Sequence, residues 1–147
     1  MRKIMIASHG KTASGIVSTI ELFMGKQDIE CIDAYMEGPE ETYVERITSF
    51  VHELTIDDEA YLFTDLPGGS VHQLIIKEIS KQLPKHIVVI TNVNIAIVIE
   101  LLTNPEFKSY EEINHMIMET NLMPIALNPY HLFEEEISIL NDDEFLD

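Results

Sequence analysis

Short apolar runs alternate along this chain with stretches whose apolar residues recur every three or four positions. The runs "KIMIASH" (3–9), "EAYLFTD" (59–65) and "HIVVIT" (86–91) have continuous apolar cores, the pattern of strands buried on both faces. "DIECIDAY" (28–35) reads as a more polar strand, and Glu30 and Asp33 assign it to a sheet edge. Between these runs the spacing predicts helices. One covers 12–25, with Ile16, Ile20 and Phe23 on a shared face and Gly25 as the C-terminal cap. Another opens at Gly38-Pro39 and runs through 54, with Tyr43, Ile47, Phe50, Val51 and Leu54 together. After the turn "LPGGS" a third is marked by Val71, Leu74, Ile75 and Ile79, and a fourth covers roughly 94–103. A fifth starts at Ser109, where "SYEE" supplies a capping box with Glu112. The piece "MPIAL" (123–127) reads as an edge strand before an acidic tail.

Strands alternating with helices imply an α/β fold with a parallel sheet covered on both faces. Three apolar strands and one polar one are arranged most simply in the flavodoxin-like, doubly wound order 2-1-3-4, with the fifth piece at the far edge. Ligands in such sheets sit beyond the carboxyl ends of the strands, where the winding reverses. Here that is the crevice between strands one and three. His9 ends the first strand and Asp65 the third, so two chemically capable residues converge on the place the topology nominates.

The chemistry these residues suggest is nucleophilic. An imidazole titrates near neutrality and attacks through whichever nitrogen is unprotonated. A carboxylate accepting the other ring N–H fixes the tautomer, and Asp65 is the candidate for that part. In "PGGS" (67–70), Gly68 and Gly69 let backbone approach an anion, and the following helix points its first N–H groups at the site. Ser70 either caps that helix or gives its hydroxyl to a phosphate oxygen. The first helix begins just after His9-Gly10, so two helix N-termini are expected to face one histidine.

His72 falls in the first turn after the glycine pair and could approach the site. His52, His86 and His115 have no partner constellation in the sequence and read as surface or packing residues, and His131 sits in the polar C-terminal region. No histidine–carboxylate cluster has ligand spacing, so neither a metal nor another cofactor is expected.

Charge and length narrow the partners. The chain has 147 residues, with 9 Lys+Arg against 26 Asp+Glu and a net charge of −17. A nucleic-acid partner needs a basic surface and is not expected. The acidity suits either basic protein partners or plain solubility, and residues 134–147 contribute seven acidic residues to it. The longest apolar region, 87–99, is interrupted by Thr91, Asn92 and Asn94, so no bilayer span is predicted. The opening apolar stretch is too short for a signal-peptide core. With Cys31 as the one cysteine, a reducing, cytoplasmic setting is expected.

Taken in order, "IASHG", "FTDLPGGS" and "TNVNIAIVIELL" resemble the IIA domain of the mannose/fructose/sorbose-type bacterial sugar phosphotransferase system. The resemblance spans residues 1 to about 127 and leaves 128–147 as an acidic C-terminal extension. It implies that His9 is phosphorylated by the phosphocarrier HPr and passes the phosphoryl group to a IIB component. Sugar entering through the membrane components IIC and IID is the final acceptor. It further implies that Asp65 orients His9 and that Ser70, with Gly10, Gly68 and Gly69, meets the phosphoryl group. Pro67, His72 and Asn94 would lie at the rim. Members of the family are homodimers whose last strand crosses to the partner subunit, which nominates "MPIAL". Pro67 and Val71 depart from the family's usual residues, and "TNVN" replaces the commoner "GVN" while retaining Asn94.

Four rival readings are separable. The phosphotransfer subunit of a dihydroxyacetone kinase system also uses a histidine after strand one, but its turn resembles G-S-A rather than G-G-S. A receiver domain needs an acidic pair where Ser8-His9 stands. A hydrolase needs a nucleophile of clear geometry beyond His9 and Asp65. A non-catalytic acidic interaction module would be indifferent to loss of His9.

Overall fold

The computed structural model describes residues 1–36, 38–81 and 86–120. The strand expected at 123–127, the acidic extension and His131 lie outside the described residues. The elements run β1 (Arg2–His9), α1 (Thr12–Met24), β2 (Glu30–Ala34), α2 (Glu40–Glu53), β3 (Glu59–Thr64), α3 (Ser70–Ser80), β4 (Ile87–Ile90), α4 (Ile95–Thr103) and α5 (Tyr110–Thr120).

The strands form one sheet in the order β2-β1-β3-β4, and every pairing is parallel. The reason the strand cores are continuously apolar is visible in their alternation. Ile4, Ile6, Tyr61 and Phe63 face one layer, with Ala13, Ile16 and Ile20 of α1, Ile97, Val98 and Leu101 of α4, and Ile113 of α5. Met5, Ala7, Ala60 and Leu62 face the other, against Tyr43, Ile47 and Val51 of α2 and Val71 and Ile75 of α3. Successive side chains point to opposite faces and both faces are covered, so a polar residue inside the central strands β1 and β3 carries a cost.

Helix ends follow local chemistry. Gly25 has φ 73° and gives its N–H to the Glu21 carbonyl at 2.9 Å, ending α1 as expected. The Ser109–Glu112 capping box closes reciprocally: each backbone N–H donates to the other residue's side chain at 3.2 Å. One helix departs from its pattern. Phe23, expected on the inner face of α1, is 74% exposed. The buried arc is centred on Ala13 and Ile20, with Val17 and Met24 packed beside it. At about 100° per residue Phe23 falls beyond Ile16, past the rim of that arc.

Candidate functional site

His9, Asp65 and Ser70 meet at the carboxyl ends of β1 and β3, where the winding of the sheet reverses. Parallel pairing sets this up: Ala7 lies beside Thr64, so His9 and Asp65 leave adjacent strands together. The Asp65 carboxylate then takes two bonds from one residue. It accepts the His9 backbone N–H at 3.0 Å and contacts ring Nδ1 at 3.1 and 3.2 Å. A carboxylate can only accept, so Nδ1 carries a proton, and in the neutral ring Nε2 then presents a lone pair. Nε2 is 3.0 Å from Ser70 Oγ. The histidine side chain is 32% exposed, open enough to meet a partner, while Asp65 beneath it is 15% exposed.

The glycines shape the site more than they donate to it. Gly69 is the one with a close approach: a Cβ there would stand 3.2 Å from His9 Cε1 and from Leu66 Cβ and O. Its N–H is bonded to the Leu66 carbonyl at 3.0 Å. Gly68, at φ 75°, gives its N–H to His72 Nδ1 at 2.8 Å. His72 therefore fastens the loop from behind. Gly10 takes φ 59° and bonds the Ala34 carbonyl at 3.1 Å, turning the chain from β1 into α1. Pro67 is exposed in the loop. Asn94 uses its side-chain oxygen to cap α4, accepting from Ile97 N–H at 2.9 Å.

The two expected helix N-termini are not equivalent. In α1 the N–H of Ala13 donates to buried Ser8 Oγ at 2.7 Å, and that of Ser14 to Asp33 Oδ1 at 3.0 Å. Those donors are spent on capping. In α3 the N-cap is Gly69, which has no side chain to offer, and the Ser70 hydroxyl turns to His9 instead of capping. The first N–H groups of α3 have no partner within the helix by geometry, so α3 is the end suited to an anion.

Sequence reading missed Tyr35. It follows β2 with φ 71°, and its ring stacks on the His9 imidazole, centroids 5.6 Å apart and planes 18° from parallel. Its hydroxyl lies 2.9 Å from Ser70 Oγ. The available signal was positional: Tyr35 follows the carboxyl end of a strand adjacent to β1. Tyr43 was legible only as an inward residue of α2; it is buried, and its hydroxyl also reaches Tyr35. His52, read as partnerless, meets buried Glu78 of α3 at 2.9 Å.

Among the described residues there is no group of three or more His, Cys, Asp or Glu placed to hold a metal. No described helix is long and apolar enough to cross a membrane. A cleft of ≈ 700 Å³ lined by Glu59, His86 and Phe107 opens at the amino ends of β3 and β4, away from His9.

Comparison with known proteins places the chain by family and fold. The family model EIIA-man, described as the PTS system fructose IIA component, matches residues 3–118. Among the proteins of solved structure that are similar are three phosphotransferase components. One is provisionally described as a phosphoenolpyruvate-dependent sugar phosphotransferase system permease from Klebsiella pneumoniae subsp. pneumoniae. It is 28% identical, with TM-score 0.66 over 82% of this chain and 86% of its own. The phosphotransferase system component EIIA from Streptococcus agalactiae is 23% identical, with TM-score 0.67 over 86% and 97%. The mannose/sorbose specific IIA subunit from Enterococcus faecalis is 17% identical, with TM-score 0.63 over 86% and 96%. The last two are likenesses of fold.

Proposed function

Since the chain belongs to the EIIA-man family of phosphotransferase-system IIA components, we propose that it is a phosphohistidine relay acting through His9. Nε2 attacks the phosphorus of phosphorylated HPr. A new N–P bond forms, the donor's N–P bond breaks, and its electron pair returns to the donor ring. No proton leaves His9: Nδ1–H stays on Asp65, whose charge offsets the positive charge of the phosphorylated ring. The Ser70 hydroxyl and the first N–H groups of α3 receive the phosphoryl oxygens. The reverse of these steps delivers the group to a IIB component and thence to sugar entering through IIC and IID.

One observation carries this reading. Asp65 holds Nδ1 at 3.1 Å while Nε2, 3.0 Å from Ser70 Oγ, faces the N-terminus of α3. The residues that fix the ring leave its reactive nitrogen toward an anion site.

The same reading extends to assembly. Residues 1–127 form the IIA domain, 128–147 an acidic extension, and 123–127 a strand exchanged between subunits of a cytoplasmic homodimer. In support, β4 has a strand neighbour on only one side among the described residues, and an apolar edge of that kind invites pairing.

The test is incubation with phosphoenolpyruvate, enzyme I and HPr. The expected product is an acid-labile phosphate on this chain, abolished by His9→Ala. Label that survives His9→Ala overturns the proposal.

A further inference from the structure

Three hydroxyls approach His9 in series, and only that of Ser70 belongs to the glycine loop. Tyr35 adopts a positive φ that is unfavourable for an aromatic residue, and that turn lays its ring on the imidazole. The Tyr35 hydroxyl is 2.9 Å from Ser70 Oγ. Behind it the Tyr43 ring packs at 4.9 Å between centroids. The Tyr43 hydroxyl is within donating distance of Tyr35 Oη at 3.1 Å and of Glu40 Oε1 at 3.3 Å.

Asp65 sets the direction of this chain. In the neutral ring, with Nδ1–H on the carboxylate, Nε2 accepts, so Ser70 donates to it. The Ser70 oxygen then accepts from Tyr35, and the Tyr35 oxygen accepts from Tyr43. Each hydroxyl has a single proton, so each link is fixed by the one before. Reversal requires Tyr43 to donate to Glu40, Tyr35 to Tyr43, and Ser70 to Tyr35. Nε2 would then have to be a donor, and the ring an imidazolium with no lone pair for attack.

We propose that Tyr35 and Tyr43 are positioning residues for phosphoryl transfer at His9. The chain Tyr43–Tyr35–Ser70 keeps the Ser70 hydroxyl donating toward Nε2 and the ring stacked in its nucleophilic form. This rests on the relay reading of His9. As the N–P bond forms, Nε2 gives its lone pair to phosphorus and the donor's N–P bond breaks toward the donor. The Ser70 proton exchanges Nε2 for a phosphoryl oxygen as acceptor and stays on Ser70. Burial, followed by the bond to Tyr35, pushes the Tyr43 phenol above its ordinary range, so it remains a donor at neutral pH. Bonds in such a chain polarise one another.

The test uses Tyr35→Phe, which keeps a ring over His9 and removes the hydroxyl, and Tyr43→Phe, which cuts the chain one link further out. Tyr35 is half-exposed, so phenylalanine there leaves the core untouched. Nitrogen-15 spectra of the His9 ring in the whole protein at neutral pH read the bond to Nε2 whether or not phosphate is transferred. The Nε2 resonance is expected to move toward the value of an unbonded, unprotonated nitrogen in Tyr35→Phe, and by less in Tyr43→Phe. Nδ1 stays protonated in both. Phosphoryl uptake from phosphorylated HPr is expected to slow about five- to tenfold in Tyr35→Phe, the scale of one lost hydrogen bond.

An Nε2 resonance unmoved by Tyr35→Phe overturns the proposal, as does a moved resonance with an undiminished rate. A moved resonance in a protein whose wild type accepts no phosphate at all overturns the relay reading, and the role in transfer with it.

Discussion

Among the described residues, two histidine–carboxylate pairs bridge different elements of this fold, and their distances hardly differ. His9 Nδ1 meets Asp65 at 3.1 Å, and His52 Nε2 meets Glu78 at 2.9 Å. Their surroundings differ in every respect that bears on chemistry. Glu78 accepts from Lys81 Nζ at both oxygens, at 3.0 and 3.2 Å, shares one of them with His52, and ties α2 to α3 on one covered face of the sheet. Asp65 instead fixes both the backbone and the ring of one histidine, at the strand ends. The other ring nitrogen there looks toward Ser70 and the start of α3. Pairing a histidine with an acid is therefore a common device of structure. A site arises where the pairing leaves the opposite nitrogen aimed at donors suited to an incoming group.

Perturbing the first pair should alter transfer, and perturbing the second should alter stability. The largest effect is expected for Asp65→Ala: phosphoryl uptake falls by about 10²-fold or more as the ring loses its tautomer and orientation. The thermal midpoint should stay within a few degrees, because Asp65 is outside the two apolar layers. Rapid-quench transfer from phosphorylated HPr, with a melting curve on the same sample, measures both.

Gly69→Ala should act through geometry alone. The backbone there, at φ −69°, accepts alanine, but the new Cβ would stand 3.2 Å from His9 Cε1. A ring displaced by a few tenths of an ångström is expected to slow transfer about tenfold. Restored wild-type rates in this variant would mean that the close approach is incidental.

The smallest effect on transfer, none, is expected for Glu78→Gln. Its effect lies in acid stability. The hydrogen bond from Lys81, followed by the pull of its charge and the bond from His52, holds the Glu78 carboxyl below its ordinary 4.5, against burial. A carboxyl lowered in the folded state contributes stability that is present above 4.5 and is lost as pH falls through the lowered value. The variant should therefore melt below wild type at pH 7, and the gap should close on acidification. A gap independent of pH would remove the ionic account of this latch.

Much of the architecture was readable because it is local or periodic. The apolar cores of β1, β3 and β4, the polar edge strand β2, and the Ser109–Glu112 box each have a signature within a few residues. His9 and Asp65 were nominated by topology, which follows from the same periodicity. What escaped has no local mark. Tyr35 and Ser70 are far apart in sequence, and only the backbone turn after β2 brings the ring over the imidazole. Phe23 fits the spacing of its helix but falls outside the arc that the sheet covers. The capping of α1 by Ser8 and Asp33 joins a helix to two neighbouring strands, so it left α3 as the open N-terminus without any sequence sign. His52 and Glu78 likewise meet only because α2 and α3 share a face.

The central claim is that Nε2 of His9 carries the phosphoryl group, and long-range proton–nitrogen spectra of the phosphorylated protein address it directly. After charging through phosphoenolpyruvate, enzyme I and HPr, the expected result is phosphate on Nε2 with Nδ1 still protonated against Asp65. Phosphate on Nδ1, on His72 or on an acidic side chain would contradict it.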